Sequence, residues 1–324
     1  MAGEMIWSTQ SGYLTNGKLS KTLLEAAQPL TRFRQFCSLK EAFGKGNGEV
    51  VNFTKIADVG TYGGKLIETN TYNQTTQALS QGTLTVYEYG VALPYTFKLS
   101  ALSEFDIKRI IKTGLAGDMA KVLDGEVERQ FNATLLRYVG TTTTGGGLTT
   151  NGTATLTNTS VLNTYHLGVM KDYLLKRNVQ GFSKAGGDYV MIVSIEAARN
   201  IKNAMLAVNQ YTQAGYQRIA DGEIGRFDGI RFVLDQFATR YTYDSTARTA
   251  TAKTWSGGFS LEGYMFGEDT VMKAVAVPEE MRMKEISDYG RSHGMAWYFL
   301  GGWKIVRDAT GAGDSTIIKW DSAA

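Results

Sequence analysis

Residues that commonly carry cross-links or metal sites are scarce in this chain of 324 residues, which has one Cys and two His. A single cysteine, Cys37, excludes a disulfide within the chain and favours a reducing compartment. Neither His166 nor His293 has another His or a Cys at the spacing of metal ligands. We therefore interpret Cys37 as a small apolar residue, and we predict no metal site and no cofactor.

Long apolar runs and an excess of one charge are missing as well. No run approaches the roughly 18 apolar residues of a transmembrane helix, and the first residues lack a signal-peptide pattern, so we predict a soluble protein without a membrane partner. The net charge is +3; residues 1–55 contain seven of the 34 basic and four of the 31 acidic residues, which leaves 27 of each elsewhere. This balance argues against sequence-specific nucleic-acid binding, although a mildly basic segment near a polyanion stays open.

Glycine and aromatic residues, in contrast, are plentiful: there are 37 Gly, 17 Tyr and 14 Phe against three Pro. Much glycine and threonine with little proline favours strands and open loops over disorder. Charged residues make up 20% of the chain, below the usual share of about a quarter. Few charges and many aromatic side chains are typical of proteins with large buried interfaces.

The segment from Ser103 to Tyr138 has the pattern of one long helix. We expect Ser103 and Asp106 to mark its N-terminus, where the helix dipole favours an acid. Apolar residues with a period near 3.6 are Ile107, Ile111, Leu115, Met119, Val122, Val127, Phe131 and Leu135. The face predicted to be exposed carries Lys108, Lys112, Asp118, Lys121, Asp124, Glu128 and Arg129. A helix this long needs an extended support, so the sequence predicts an α+β protein with a spine helix packed on a sheet.

Strand patterns flank a long polar stretch that precedes this helix. Val50–Ile56 alternates in polarity, and Thr83–Gly90 and Val91–Ser100 are rich in Val, Tyr and Thr. Residues 60–82 between them are mostly Thr, Asn, Gln and Gly. We predict an extended β-hairpin that leaves the body of the domain. Such a hairpin is only marginally stable by itself, so we expect a neighbouring molecule to cover it.

The second half of the chain alternates helix and strand patterns. Helices are predicted at Ser160–Arg177 and Ser194–Val208, around a buried strand at Asp188–Ser194. Asp228-Gly229 predicts the turn of a hairpin within Gly222–Gln236. Further strands are predicted at Gly258–Gly267, Asp269–Pro278, Gly294–Val306 and Ser315–Trp320. The polar stretch Gly140–Thr159 fits either a flexible linker or a polar surface hairpin. Arg240–Gly258 fits either an exposed hairpin or a loop insertion.

One catalytic motif occurs, a Gly-x-Ser-x-Gly match at Gly290–Gly294 centred on Ser292. A nucleophile elbow requires a strand before the serine and a helix after it. Here a polar segment precedes and a strand pattern follows, so we interpret Ser292 as part of a glycine-flanked turn. The sequence predicts that the protein is not an enzyme, and a soluble α/β hydrolase using Ser292 stays as an alternative.

Three motifs, in this order, resemble one family. GEVVNFTKIADVG (48–60), a polar loop and LTVYEYGVALPYTFKLS (84–100) resemble an extended loop and its return. YVMIVSIEAARNIKNA (189–204) resembles a strand followed by a helix, and GEIGRFDGIRFVL (222–234) resembles the hairpin that comes next. With the spine helix and the returning strands, they resemble the major capsid protein of tailed bacteriophages, which has the Hong Kong 97-like fold. Within that family the chain is similar to the group typified by the coliphage N-four capsid protein.

The resemblance implies a division of the chain and a set of partners. It implies an N-terminal arm at 1–49, an extended loop at 50–95, a peripheral domain at 96–149 and 268–324, and an inserted axial α/β domain at 150–267. It further implies hexamers and pentamers that tile an icosahedral shell around double-stranded DNA, which is bound without sequence preference, in a virion assembled in the bacterial cytoplasm. The resemblance also implies a portal protein at one vertex. A separate scaffolding protein is expected, since this sequence starts at the arm. A decoration protein and an encapsulin-like nanocompartment shell stay open.

Candidate contacts between subunits follow from the same resemblance. The candidate residues are Arg32, Arg34, Lys65, Leu66, Ile67, Tyr72, Tyr211 and Tyr216. The two arginines belong to the basic arm, the next four residues to the extended loop, and the two tyrosines to a segment, 210–218, expected near the capsomer axis. The lysine in the loop is interpreted as solvated, and no cross-link through it is predicted.

Overall fold

The structure, a computed structural model, describes residues 31–42, 46, 48–56, 59, 63–66, 68, 71–72, 74–183, 186–209, 226–253, 262–307 and 315–321. These residues contain one long helix, three shorter α-helices, two larger sheets and two separate hairpins. The combination confirms the predicted α+β class. None of the described helices is long and apolar enough to cross a membrane.

The spine helix, α2, spans Ile107–Asn132 and is shorter than predicted at both ends. Asp106 is its N-cap and accepts the backbone N–H groups of Lys108 and Arg109. Ser103 instead ends the preceding helix α1 (Phe97–Leu102). At the other end, residues 136–142 form a strand because pairing with the C-terminal strand competes with helix continuation. The 26 residues of α2 span roughly 40 Å.

The buried face of α2 contains the predicted apolar residues, but the predicted exposed face is partly wrong. The buried apolar residues are Ile107, Ile111, Leu115, Val122, Leu123, Val127 and Phe131. Asp124 and Glu128 are also buried, with 0% and 2% of their surface exposed. Both carboxylates have partners from distant parts of the chain, Arg32 and Arg34 for Asp124 and Lys253 for Glu128, which no local period could reveal.

A four-stranded sheet with the order β1-β13-β14-β4 supports the spine helix. Its strands are β1 (Ser38–Ala42), β4 (Tyr87–Thr96), β13 (Val271–Met283) and β14 (Ser292–Ile305). Trp297 and Phe299 of β14 share one buried cluster with Leu115 and Phe131 of α2. β13 runs past Pro278, where the sequence predicted its end, because the register with β14 shifts between Val277 and Glu280 and a bulge tolerates proline.

A second, seven-stranded sheet has the order β6-β5-β15-β12-β7-β9-β8. Its strands are β5 (Leu136–Thr142), β6 (Gly145–Thr149), β7 (Tyr189–Ser194), β8 (Arg226–Phe227), β9 (Ile230–Asp235), β12 (Gly263–Phe266) and β15 (Ile317–Trp320). Helices α3 (Thr164–Lys176) and α4 (Ile195–Asn209) contribute Met170, Leu174 and Ile201 to the core of this sheet. Every residue of β7 is buried, as its continuous apolar run predicted.

Two hairpins stand apart from these sheets. The first pairs β2 (Val50–Ile56) with β3 (Leu79–Thr85), and the second pairs β10 (Tyr241–Asp244) with β11 (Thr249–Ala252). The predicted turn at Asp228-Gly229 also forms, with φ of 47° and 73°. The stretch Gly140–Thr159 begins with the β5–β6 hairpin, which decides between its two interpretations.

Candidate assembly surface

The hairpin β2–β3, with the segment between its strands, is the extended hairpin that the sequence predicted. At its base Leu84 and Val86 are buried against Met272 and Ala274 of β13. Further out, the Phe53 ring lies over Gly82, where a Cβ would come within 2.3 Å of the ring. A glycine at this position is therefore required for the cross-strand packing, and the base of the hairpin is packed on the four-stranded sheet.

The outer part of the extended hairpin exposes apolar side chains. Ile56 and Leu79 are directly opposite in the register, and 64% and 66% of their surfaces are exposed. Leu66 and Tyr72, in the segment between the strands, are exposed by 54% and 76%. Two strands alone bury little apolar surface, and exposed apolar patches commonly mark interaction sites. This surface is therefore suited to burial against another molecule.

The structure locates some of the predicted contact residues. Lys65, Leu66 and Tyr72 are exposed on the extended hairpin. Arg32 and Arg34 are half-buried beside the spine helix. The predicted residues that lie outside the described part of the chain are Ile67, Tyr211 and Tyr216, with the segment 210–218.

The segment around Arg32 and Arg34 is tied to the core of the protein. The backbone N–H groups of Arg32 and Arg34 donate to the Asp124 carboxylate at 3.3 and 3.1 Å. Phe33 between them is fully buried, with its ring centroid 5.4 Å from that of Phe131. The Arg34 guanidinium also pairs with Glu279 of β13. Residues 32–34 are therefore anchored on α2 and on β13.

Asp124 has an unusual environment for a carboxylate. Burial and the neighbouring charge of Asp235 raise its pKa to about 7, although the two N–H donors from Arg34 and Arg32 oppose the rise. Asp235 is itself buried, and one of its oxygens accepts from Phe237 and from Thr239. Asp124 and Asp235, which we call the carboxylate clamp, are therefore two neighbouring buried carboxylates, and burial raises the pKa of both.

A second buried network connects the spine helix with the seven-stranded sheet. Lys253, at the end of β11, pairs with Glu128 at 2.7 Å and also with Glu262, and Lys319 of β15 pairs with Glu262 at 2.6 Å. The Tyr264 hydroxyl donates to Glu128. Burial lowers the pKa of Lys253, but attraction to the two carboxylates outweighs it and leaves the pKa above its usual value. The network is charge-balanced, as burial of ions requires.

A groove of about 730 Å³ runs between strand β4, the second half of α2 and the β10–β11 hairpin. Residues 87–91 of β4 form one wall, and β4 has a neighbour on one side only among the described strands. Tyr243 of the hairpin packs on Gly125 of α2, and the Trp297 indole donates to Asp118 at 2.9 Å. The groove thus offers a strand edge with unpaired backbone groups beside polar side chains.

The catalytic candidates have structural partners. Ser292 begins strand β14 and accepts from the Lys284 ammonium at 2.6 Å, so the strand follows the serine, as predicted, and does not precede it.

His166 is fully buried, 3.1 Å from the Tyr138 hydroxyl and 3.3 Å from the Ser160 hydroxyl, and burial lowers its pKa. Among the described residues no group of His, Cys, Asp and Glu has the arrangement of a metal site.

Sequence reasoning missed several residues of this surface. Ile56 lies in a predicted strand, whereas Leu79 lies in the stretch predicted to be polar, because the returning strand was predicted to begin at Thr83 and begins at Leu79. The exposure of both side chains depends on which face of the hairpin meets the body. The helical period predicts that Asp124 is exposed to solvent. This prediction is wrong because the partners that bury Asp124 are some 90 positions away in the chain. For the hairpin, the alternation of β2 could have indicated the exposed face, whereas no local signal identifies the clamp.

No protein-family model matches the chain, and no curated protein sequence matches it. Solved structures do match over nearly its whole length. The capsid of Cyanophage P-SCSP1u has a TM-score of 0.68 at 13% identity, with 97% of this chain and 94% of that chain covered. The capsid asymmetric unit of Cyanophage Pam1 gives 0.67 at 15%, with 96% and 97% covered. The acidic stable capsid of Helicobacter pylori bacteriophage KHP30 gives 0.66 at 14%, with 97% and 98% covered.

The chain has the fold of phage capsid subunits. Because these identities are far below a quarter, the likeness is one of fold. It confirms the capsid fold that the three sequence motifs predicted. The similarity to the N-four group within that fold, and the four boundaries drawn from it, stay predictions.

Proposed function

We propose that this chain is the major capsid protein of a tailed bacteriophage, forming hexamers and pentamers in an icosahedral shell around double-stranded DNA. The observation that carries the proposal is the match to capsid subunits over nearly the full length of both chains. The exposed apolar side chains of the extended hairpin support it, since a shell would bury them between copies. The role is structural, and self-association replaces turnover.

The proposed parts of the subunit have separate tasks. Residues 1–49 form an arm that reaches a further neighbour, and residues 50–95 form a loop that lies across the adjacent subunit. Residues 96–149 with 268–324 form the peripheral domain, and 150–267 form the axial domain near the capsomer axis. Obligate interfaces of this kind bury roughly 2,000–5,000 Å². Packaged DNA, a separate scaffolding protein and a portal protein are the further partners of the proposal.

Deletion of Thr61–Ser80 tests the role of the extended hairpin. It removes the outer segment and the first two residues of β3, while Leu84 and Val86 keep the base packed. We expect a folded subunit by circular dichroism that forms no shells under negative-stain electron microscopy. The full-length chain, expressed with a scaffolding protein, is the positive control.

Two outcomes contradict different parts of the proposal. Normal shells from the deleted chain would contradict the role of the hairpin. A full-length chain that stays monomeric in analytical ultracentrifugation over a wide range of concentration, with and without scaffold, would contradict the capsid function itself.

A further inference from the structure

A cluster of positive side chains lies where α1 is joined to α2. Lys98 is on α1, and Lys108, Arg109 and Lys112 are in the first two turns of α2; all four are exposed. The side chains of the three lysines form no ion pair within the described part of the chain. We call these four residues the α1–α2 basic cluster.

The arrangement of this cluster opposes the stability of α2. Lys108 and Lys112 are four residues apart, so their side chains are neighbours on the helix and repel each other. The first turn of α2 contains no acidic residue, and cations there also oppose the helix dipole. The N-cap carboxylate of Asp106 offsets part of this cost, but it forms no ion pair with the three lysines in the described part of the chain. A local rule that is broken in this way points to a function for the residues that break it. A negatively charged partner would remove this repulsion.

Charges from the adjacent segments leave the region positive. Glu104 and Asp106 lie in the connection between the two helices, and Asp106 is occupied as the N-cap of α2. The β13–β14 turn lies beside α1, because the Phe97 N–H donates to the Arg291 carbonyl at 2.8 Å. That turn contributes two bases and two acids, Lys284, Glu285, Asp288 and Arg291. The six basic and four acidic side chains together have a net charge of +2.

We infer that the α1–α2 basic cluster contacts the phosphates of packaged double-stranded DNA. The inference rests on the proposed function, which supplies the DNA. The lysines on the exposed faces of α1 and α2 suit the regularly repeated phosphate charges of a DNA backbone. A peptide that pairs with a strand edge would instead fit the groove along the second half of α2. A few phosphate contacts per subunit give weak, sequence-independent binding, and the many copies of a shell multiply it.

Binding of a random-sequence DNA duplex to the full-length chain tests this inference. Fluorescence anisotropy over a series of NaCl concentrations gives the slope of log K against log salt. The double variant K108Q/K112Q removes two phosphate contacts, so we expect the slope to become shallower by about 1.8. The matched control K176Q/R199Q removes two exposed positive charges from α3 and α4 and is expected to keep the wild-type slope.

The outcomes separate this inference from the proposed function. Equal slopes for both double variants would overturn the inference, as would binding of a polyglutamate peptide that depends on Lys108 and Lys112 while DNA binding does not. Shell formation is scored separately by negative-stain microscopy. Shells with an unchanged DNA slope contradict the inference alone, and DNA binding through the lysines without shells contradicts the capsid function.

Discussion

Gly114 and Gly125 are two glycines of the spine helix in opposite surroundings. A Cβ added at Gly114 would meet nothing within 4 Å, whereas one at Gly125 would lie 2.9 Å from Cβ of Tyr243. Glycine in a helix ordinarily costs about 1 kcal/mol relative to alanine. Gly125 therefore gives up helix stability to let the β10–β11 hairpin approach α2.

The two glycine-to-alanine variants are predicted to differ in sign. G114A should raise the free energy of unfolding by about 0.5–1 kcal/mol, as expected for an exposed helical position. G125A should lower it by about 1–3 kcal/mol, because the hairpin must move to relieve the contact. Urea unfolding of the unassembled chain measures both. Equal stabilisation by the two alanines would show that Tyr243 does not pack on the helix.

Asp124 predicts a pH dependence with a definite sign. Its pKa is raised from 3.8 to about 7 in the folded protein, so the folded state binds the proton more tightly than the unfolded state. Its contribution is fully present below about pH 4 and is lost as the pH rises through about 7. The variant D124N should therefore become more stable relative to wild type as the pH rises from 5 to 8. Thermal unfolding across this range measures the difference.

The control for this prediction is D172N, which changes an exposed carboxylate on α3. Its stability should follow the wild-type pH profile. If D124N and wild type also have parallel profiles, the buried carboxylate is not the titrating group.

At the scale of elements, buried ion pairs join the spine helix to the seven-stranded sheet. Lys253 and Glu128 keep only 7% and 3% of their side chains exposed. The variant K253M leaves Glu128 and Glu262 less compensated and should cost about 3–5 kcal/mol of unfolding free energy. The matched control is K171M, whose partner Asp228 is 53% exposed and whose loss should cost under about 1 kcal/mol. If K253M and K171M lost similar amounts of unfolding free energy in urea, burial would not be what makes the Lys253 ion pairs important for stability.

At the scale of the whole molecule, the extended hairpin is the part whose surface a single copy leaves uncovered. The double variant I56S/L79S removes the facing apolar pair without touching the buried base of the hairpin. We expect wild-type circular dichroism and a strong loss of shells in negative-stain images. L175S, which changes an apolar residue of α3 that is 50% exposed, is the control and should assemble. Assembly of I56S/L79S at the wild-type concentration would exclude this pair from the interface.

Local patterns in the sequence determined the elements of this protein and their order. The 3.6 period placed α2, alternation placed β2, and Asp228-Gly229 placed its turn, because each depends on neighbours within a few positions. The capsid fold was predicted from three such motifs in sequence. The ends of α2 were wrong, since strand pairing at residues 136–142 decides where the helix stops.

Only the tertiary structure decided which charges are buried and which apolar residues stay exposed. Asp124 and Glu128 have the sequence context of solvated acids, yet both are buried. Hydrogen bonds and an ion pair from partners 90 or more positions away offset the free-energy cost of removing them from water. Ile56 has the context of a half-buried strand residue, yet it is exposed together with Leu79, because the body covers only the base of their hairpin. Burial follows from long-range contacts, and those are set by how the sheets and the helix pack together.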